Sequence, residues 1–111
     1  MTIPVALDTI PDEIETWGWG YVLTTGDERP HLRASSPTVV RCDNECGYVL
    51  RFNGGGGRAC RNAERHPKAA VVFPPRADNP EFSLVIDADA TVDGDIIDLM
   101  PTNALLHRTR P

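Results

Sequence analysis

The chain has 111 residues and a mass of 12.2 kDa, with 41% apolar residues, 9 glycines and 10 prolines. That excludes a fibrous or disordered protein and predicts one turn-rich globular domain spanning 1–111. The net charge of −5 hides a division. Residues 1–28 hold six acids and no Lys or Arg, 29–76 hold nine basic residues against three acids, and 77–111 hold seven acids against two basic residues, which argues against broad nucleic-acid binding and leaves a confined anion site open.

The opening MTIPVALDTIPDEIE has no basic stretch and no long apolar run, unlike a signal peptide, and apolar runs such as AAVVF are too short to cross a bilayer. A cytoplasmic protein without a membrane partner is expected. Its three cysteines are an odd number, so no disulfide framework is expected. Residues 10–17, IPDEIETW, predict a short helix, with Thr9 as N-cap and Asp12 at the reciprocal capping-box position. Gly18 and Gly20 mark its exit. GYVLTT at 20–25 reads as a strand, and HLRASS at 31–36 returns beside it, with Pro37 pointing to an edge or a bulge.

TVVRC at 38–42 and GYVLRF at 47–52 flank the polar DNE and predict a hairpin. NGGGG at 53–57 breaks any regular element, and RACRNAERH at 58–66 predicts a helix that Pro67 ends. AAVVF at 69–73 and FSLVIDADATV at 82–92 read as strands. Asp93, Gly94 and Asp95 form a turn, IIDLM at 96–100 returns, and Pro101 and Thr102 open a final helical turn through Arg108. About six strands with two or three short helices predict a mainly β, antiparallel barrel, since closure protects the sheet edges. A barrel of this size has little interior left for a large organic ligand. Such a ligand is expected on the wall or between two copies, which makes a homodimer the expected assembly.

The most informative segment is NGGGGRACRNAERHP. Arg58, Arg61 and Arg65 are spaced three and four apart and share one helical face. Gly54, Gly55, Gly56 and Gly57 remove Cβ atoms just before a helix start, where backbone N–H groups lack partners and arginine adds a bidentate fork. Two readings stand side by side here: a phosphate cradle, and a solvated glycine loop followed by a polar helix. No Gly-Lys-Ser/Thr follows, so this is not a Walker A motif.

Cys42, Cys46 and Cys60 give no zinc spacing, and His31, His66 and His107 are not grouped, so no metal site is expected. Cys60 reads as a buried, inert thiol. Asp87, Asp89, Asp93, Asp95 and Asp98 lack the order of a calcium loop and read as solvated strand and turn residues. His107 reads either as a structural hydrogen-bonding residue or as a ligand contact. Trp17, Trp19 and Tyr21 read as core or dimer-interface anchors.

Taken in order, WGWGYVLTTGDERPHLRASSPTVV, GYVLRFNGGGGRACRNAERHPKAAVVFPP, FSLVIDADATVDGD and MPTNALLHR resemble the pyridoxamine 5'-phosphate oxidase-like split-barrel family, especially its short actinobacterial members. The resemblance covers about residues 10–108. It implies an antiparallel split β-barrel that dimerises and holds FMN or, in related branches, F420 in clefts at the dimer interface. It also implies hydride transfer to or from a small organic substrate, performed by the cofactor while the protein positions it. Carried over by position, His31 to Pro37 would lie beside the ring, with Arg33, Ser35 and Ser36 as hydrogen-bonding candidates. Asn53 to Arg58 would wrap the phosphate end, and Arg61 with Asn62 would complete that pocket. Members often have Thr at the position of Asn53, Ser at Gly57 and Lys or Ser near Ala59. That departure motivates a second reading, a non-catalytic ligand-binding or structural protein on the same barrel.

Overall fold

Two long strands form the backbone of the molecule. In the computed structural model, which describes residues 2–53 and 57–108, β7 (Phe82–Asp93) and β8 (Ile96–Arg108) pair along their whole lengths. Gly94 and Asp95 alone connect them. Gly94 has φ 60°, the left-handed conformation that tight hairpin turns require and glycine supplies without strain.

The other strands are β1 (Thr2–Pro4), β2 (Gly20–Thr25), β3 (Pro30–Ser35), β4 (Thr38–Arg41), β5 (Tyr48–Asn53) and β6 (Lys68–Phe73). All described pairings are antiparallel. They give one eight-stranded sheet in the order β3-β2-β6-β7-β8-β5-β4, with β1 added on β8. This is the antiparallel β architecture expected, with two differences. The sheet is not closed, because β3 and β4 end the order without pairing to each other. The strand count is eight rather than about six: the seven strand segments read along the chain all form, and the N-terminus adds β1 on Leu105–His107 of β8.

The expected helical turn at 101–108 is instead the second half of β8. Ala, Leu and Leu are good helix formers after a Pro-Thr start, but pairing with β7 overrides that local preference. Pro101 is accommodated at a register shift: Ala88 pairs with Pro101 while Asp87 pairs with Asn103, leaving Thr102 as the extra residue of a bulge. The Thr102 hydroxyl donates to the Asp87 carbonyl at 3.2 Å.

Helix α1 (Ile10–Trp17) forms where expected, but its capping differs. Thr9 has helical φ and ψ, and its hydroxyl donates back to the Ala6 carbonyl at 2.7 Å rather than accepting from the helix. Pro11 near the helix start and Asp12 and Glu13 in the first turn supply the start signal instead. Ile10, Ile14 and Trp17, spaced by four and three, face the core. Inward residues of the sheet (Leu50, Phe73, Leu84, Ile86 and Leu99 among them) form that core, each fully buried.

A buried side-chain hydrogen bond helps fix the segment before α1 to the barrel. The Tyr48 hydroxyl donates to the Leu7 carbonyl at 2.6 Å, and Tyr48 is 1% exposed. Burial pushes the Tyr48 phenol well above its usual 10, so the neutral form is favoured by folding. A raised folded pKa means stability present below pH 10 and lost as pH rises beyond it. Tyr48→Phe should lower unfolding stability by about 1 kcal/mol in urea titrations near neutral pH. The variant should also lose part of the parent's decline in stability above pH 10.

Candidate functional site

Helix α2 (Arg58–Arg65) has two unlike faces. Ala59, Cys60 and Ala63 are buried against the barrel, and their small side chains let the helix lie close to β2, β3, β7 and β8. Cys60 is thus a packed, free thiol, as expected. Arg58, Arg61 and Arg65 are all exposed on the other face. Gly54, Gly55 and Gly56 lie outside the described residues. Gly57 is the residue before α2, in an extended conformation.

Opposite the arginine face stands the turn joining β2 to β3. Gly26, Asp27, Glu28 and Arg29 from the turn, with Arg58, Arg61, Asn62 and Arg65 from α2, line a cleft of about 540 Å³. The turn closes through Gly26 N–H donating to the Arg29 carbonyl at 3.0 Å. A Cβ on Gly26 would stand 2.6 Å from that oxygen, so the position needs glycine.

Asp27 ties the turn to the end of α2. Its carboxylate oxygens lie 2.8 Å from Arg65 Nη1 and 3.0 Å from His66 Nε2. The His66 hydrogen bond holds the Asp27 carboxyl below its usual 3.8 against the opposing effect of desolvation, with the charge of Arg65 adding to it. Arg58, Arg61 and Arg29 have no carboxylate partner among the described residues. Deeper in, Asn62 Nδ2 donates to Thr24 Oγ1 at 3.4 Å, and Thr24 is fully buried.

Of the residues singled out by sequence, Arg58, Arg61 and Asn62 come together in this cleft. Arg33 and Ser35 lie along β3, opposite Val22 and Gly20, and Ser36 follows the strand. None of the three lines the cleft. Ser35 is five residues from the Thr25–Pro30 pair at the turn, roughly 17 Å at strand spacing. His107 sits exposed on β8, opposite Ser83 and Thr2. Trp17 is in the core, whereas Trp19 and Tyr21 are exposed and stack edge to face at 5.4 Å. The acids of β7 and β8 are partly paired, Asp89 with Lys68 at 2.6 Å and Asp98 with Arg51 at 2.8 Å. No group of three or more metal-ligating side chains occurs among the described residues. Nor is any helix there long and apolar enough to cross a membrane.

Sequence reasoning missed two features. Arg29 and Asp27 were part of a polar turn with no motif of their own, and only the docking of that turn on α2 gives them a place. His31, placed beside the ring only by the family resemblance, is opposite Thr24 in the ladder and on the same face, and its Nδ1 is buried without a hydrogen-bond partner among the described residues. That is an unmet polar atom next to the residue Asn62 touches.

Comparison with solved structures now bears on the fold. A provisionally assigned pyridoxamine 5'-phosphate oxidase from Listeria innocua superposes with a TM-score of 0.66 at 17% identity, covering 90% of this chain and 96% of that one. The chain has the split-barrel fold. The heme storage protein HutZ from Vibrio cholerae matches at TM-score 0.59 and 16% identity, over 94% of this chain and 96% of that one. An FAD-binding protein from Mycobacterium smegmatis matches at 0.56 and 12%, over 97% of this chain and 100% of that one. No family model and no curated protein matches the sequence.

The Asp27 tie has a definite pH dependence. A folded pKa below 3.8 means that the contact contributes above the unfolded value and is lost as pH falls through the folded one. Amide resonances of Gly26 to Arg29 should therefore move together as pH falls below the ordinary Asp value of 3.8, while Asp27→Asn should abolish that acid transition.

Proposed function

We propose that the protein binds a phosphorylated flavin-type cofactor, FMN or F420, with its phosphate end in the cleft between α2 and the β2–β3 turn. The observation that carries this reading is the pair Arg58 and Arg61, exposed in a cleft and without carboxylate partners among the described residues. Two guanidinium forks beside the Asn62 amide suit the oxygens of a phosphate. The buried, unpartnered Nδ1 of His31 supports a polar contact further along the ligand. The split-barrel neighbours include an FAD-binding protein, which adds support for a flavin-type ligand.

When bound, such a cofactor supplies hydride transfer to or from a small organic substrate. The chain's own part is to anchor and orient. Arg58 and Arg61 neutralise the phosphate, Asn62 is positioned by buried Thr24, and the Asp27 tie keeps the turn against the helix. A second reading, a ligand-holding protein without turnover, draws support from the cleft lining, which among the described residues offers arginines, an amide and two carboxylates, Asp27 engaged, but no histidine or cysteine. The heme storage protein among the structures of the same fold is in keeping with it.

The assembly in this reading is a cytoplasmic homodimer. One rung of the outer sheet face is apolar across six strands: Ala34, Tyr21, Val72, Val85, Leu105 and Pro4. Beside it, Trp19 is 49% and Leu32 57% exposed. A second copy of the same face would remove these side chains from water. Replacing both Trp19 and Leu32 with Glu should give a folded monomer by light scattering, where the parent gives a dimer.

Titration of the purified protein with FMN and with F420, followed by visible absorption and fluorescence, tests the reading directly. Saturable binding of either is expected. Arg58→Ala with Arg61→Ala should weaken it roughly 100-fold, about 3 kcal/mol for two charge-assisted bonds. Unchanged affinity would overturn the site assignment. Saturable binding with no reduction of the bound flavin or deazaflavin by any donor would favour the holding reading.

A further inference from the structure

We infer that the β2–β3 turn is the second jaw of the cleft, that Arg29 contacts the ligand directly, and that the group taken between the jaws is a phosphate monoester dianion. The inference rests on reading the cleft as an anion site, not on the rest of the ligand being a flavin, and of the two cofactors it favours FMN, a phosphate monoester, over F420, whose phosphate is a singly charged diester.

The turn is built to hold a fixed position. Gly26 N–H closes it onto the Arg29 carbonyl at 3.0 Å, in a space that a Cβ at position 26 would occupy. Asp27, the next residue, is bound by Arg65 and His66 from α2. The turn is thus braced from within and docked from outside, and Arg29 at its far end lines the same cleft as Arg58 and Arg61. A side chain carried on a docked turn loses less freedom on binding than one on a loose loop.

Charge selects the ligand. Asp27 and Arg65 offset each other, and His66 also bonds to Asp27, so this carboxylate is drawn away from the other arginines. Arg29, Arg58 and Arg61 remain, with Glu28 as the other acid in the lining. Three positive charges less one negative leave two to be matched. A phosphate monoester carries close to two negative charges above pH 7 and offers three acceptor oxygens. A sulfate monoester has the same shape and a single charge. The geometry therefore favours the former, with forks arriving from two elements.

Phenyl phosphate and phenyl sulfate are suitable probes, titrated at pH 8 into the full chain and followed by calorimetry and amide chemical shifts. Phenyl phosphate should bind roughly tenfold or more tightly than phenyl sulfate. Arg29→Ala and Arg29→Gln should each lower phenyl phosphate affinity roughly tenfold, with shifts in the spectrum confined to the turn and α2. Arg41→Ala on β4 should leave binding unchanged. Because Arg29 is exposed and has no carboxylate partner among the described residues, its variants should keep the parent fold, and the glutamine variant retains a polar side chain of similar reach.

Equal affinity of the two probes, no binding of phenyl phosphate, or parent affinity in both Arg29 variants would overturn the inference. If FMN or F420 binds while the Arg29 variants take phenyl phosphate as the parent does, this inference fails and the flavin reading stands. Arg29-dependent binding of phenyl phosphate without binding of either cofactor would have the reverse meaning.

Discussion

One strand with two edges has to serve three neighbours, and the rest of the fold is arranged around that constraint. β8 pairs with β7 throughout, with β5 through Ile96–Leu99 and with β1 through Leu105–His107. β5 and β1 take the same edge, so a stretch between them lies outside both ladders, and its polar groups need partners elsewhere. Pro101 removes one N–H from the stretch, and its carbonyl accepts from Cys46 Sγ at 3.0 Å. The Ala104 carbonyl accepts from Val5 N–H at 2.9 Å. Through the split so created, the segment ahead of α1 reaches the core, where Ile10 is fully buried and Tyr48 binds the Leu7 carbonyl.

The same open order decides where a ligand can be held. β3 ends the strand order and β2 joins it to β6, so the β2–β3 hairpin is anchored on one side. Its turn is positioned by what it touches, and that is α2. The helix in turn lies close because Ala59, Cys60 and Ala63 are small. Small residues on the inner face and arginines on the outer one make α2 both a plug for the barrel and one wall of a cleft. The packing and the electrostatics use opposite sides of the same eight residues.

Much of this was legible in the sequence, and the reasons for the rest are local. Alternation over 82–92 and the Gly94 turn gave the central hairpin, and the NGGGG break gave the start of α2. Within the polar stretch at 43–45, Asn44 does the turn chemistry: its Oδ1 accepts from the N–H groups of Cys46, Gly47 and Tyr48. The second half of β8 was not legible, since PTNALLHR has a helix-like start and only pairing with β7 and β1 reveals its alternation. Arg58 and Arg61 could be found from spacing, because one helix carries both, and Asn62 from the family resemblance. Asp27 and Arg29 could not, because their role depends on a turn meeting a helix about 30 residues further along the chain.

The two helices differ in how their charges meet the helix dipole, and the difference supports the proposed anion site. Both are eight residues long. α1 follows the helix dipole, with Asp12 and Glu13 in its first turn. α2 opposes it: its first turn holds no acid, it starts on Arg58, and its N-cap residue, Gly57, has no side chain to cap with. Arg61 follows one turn on, so two cations stand near the positive end of the helix. The nearby acid, Asp27, is bound at the other end by Arg65 and His66, where positive side chains already suit the dipole. Moved by one turn of helix, the same carboxylate would have relieved both the dipole and the mutual repulsion of the arginines. Local rules broken together at the start of α2 suit the proposed anion site, whose missing charge a ligand would supply. An anion between the turn and the first half of α2 would satisfy the dipole, Arg58 and Arg61 at once, which supports the proposed reading of the cleft over a gap between two surface elements.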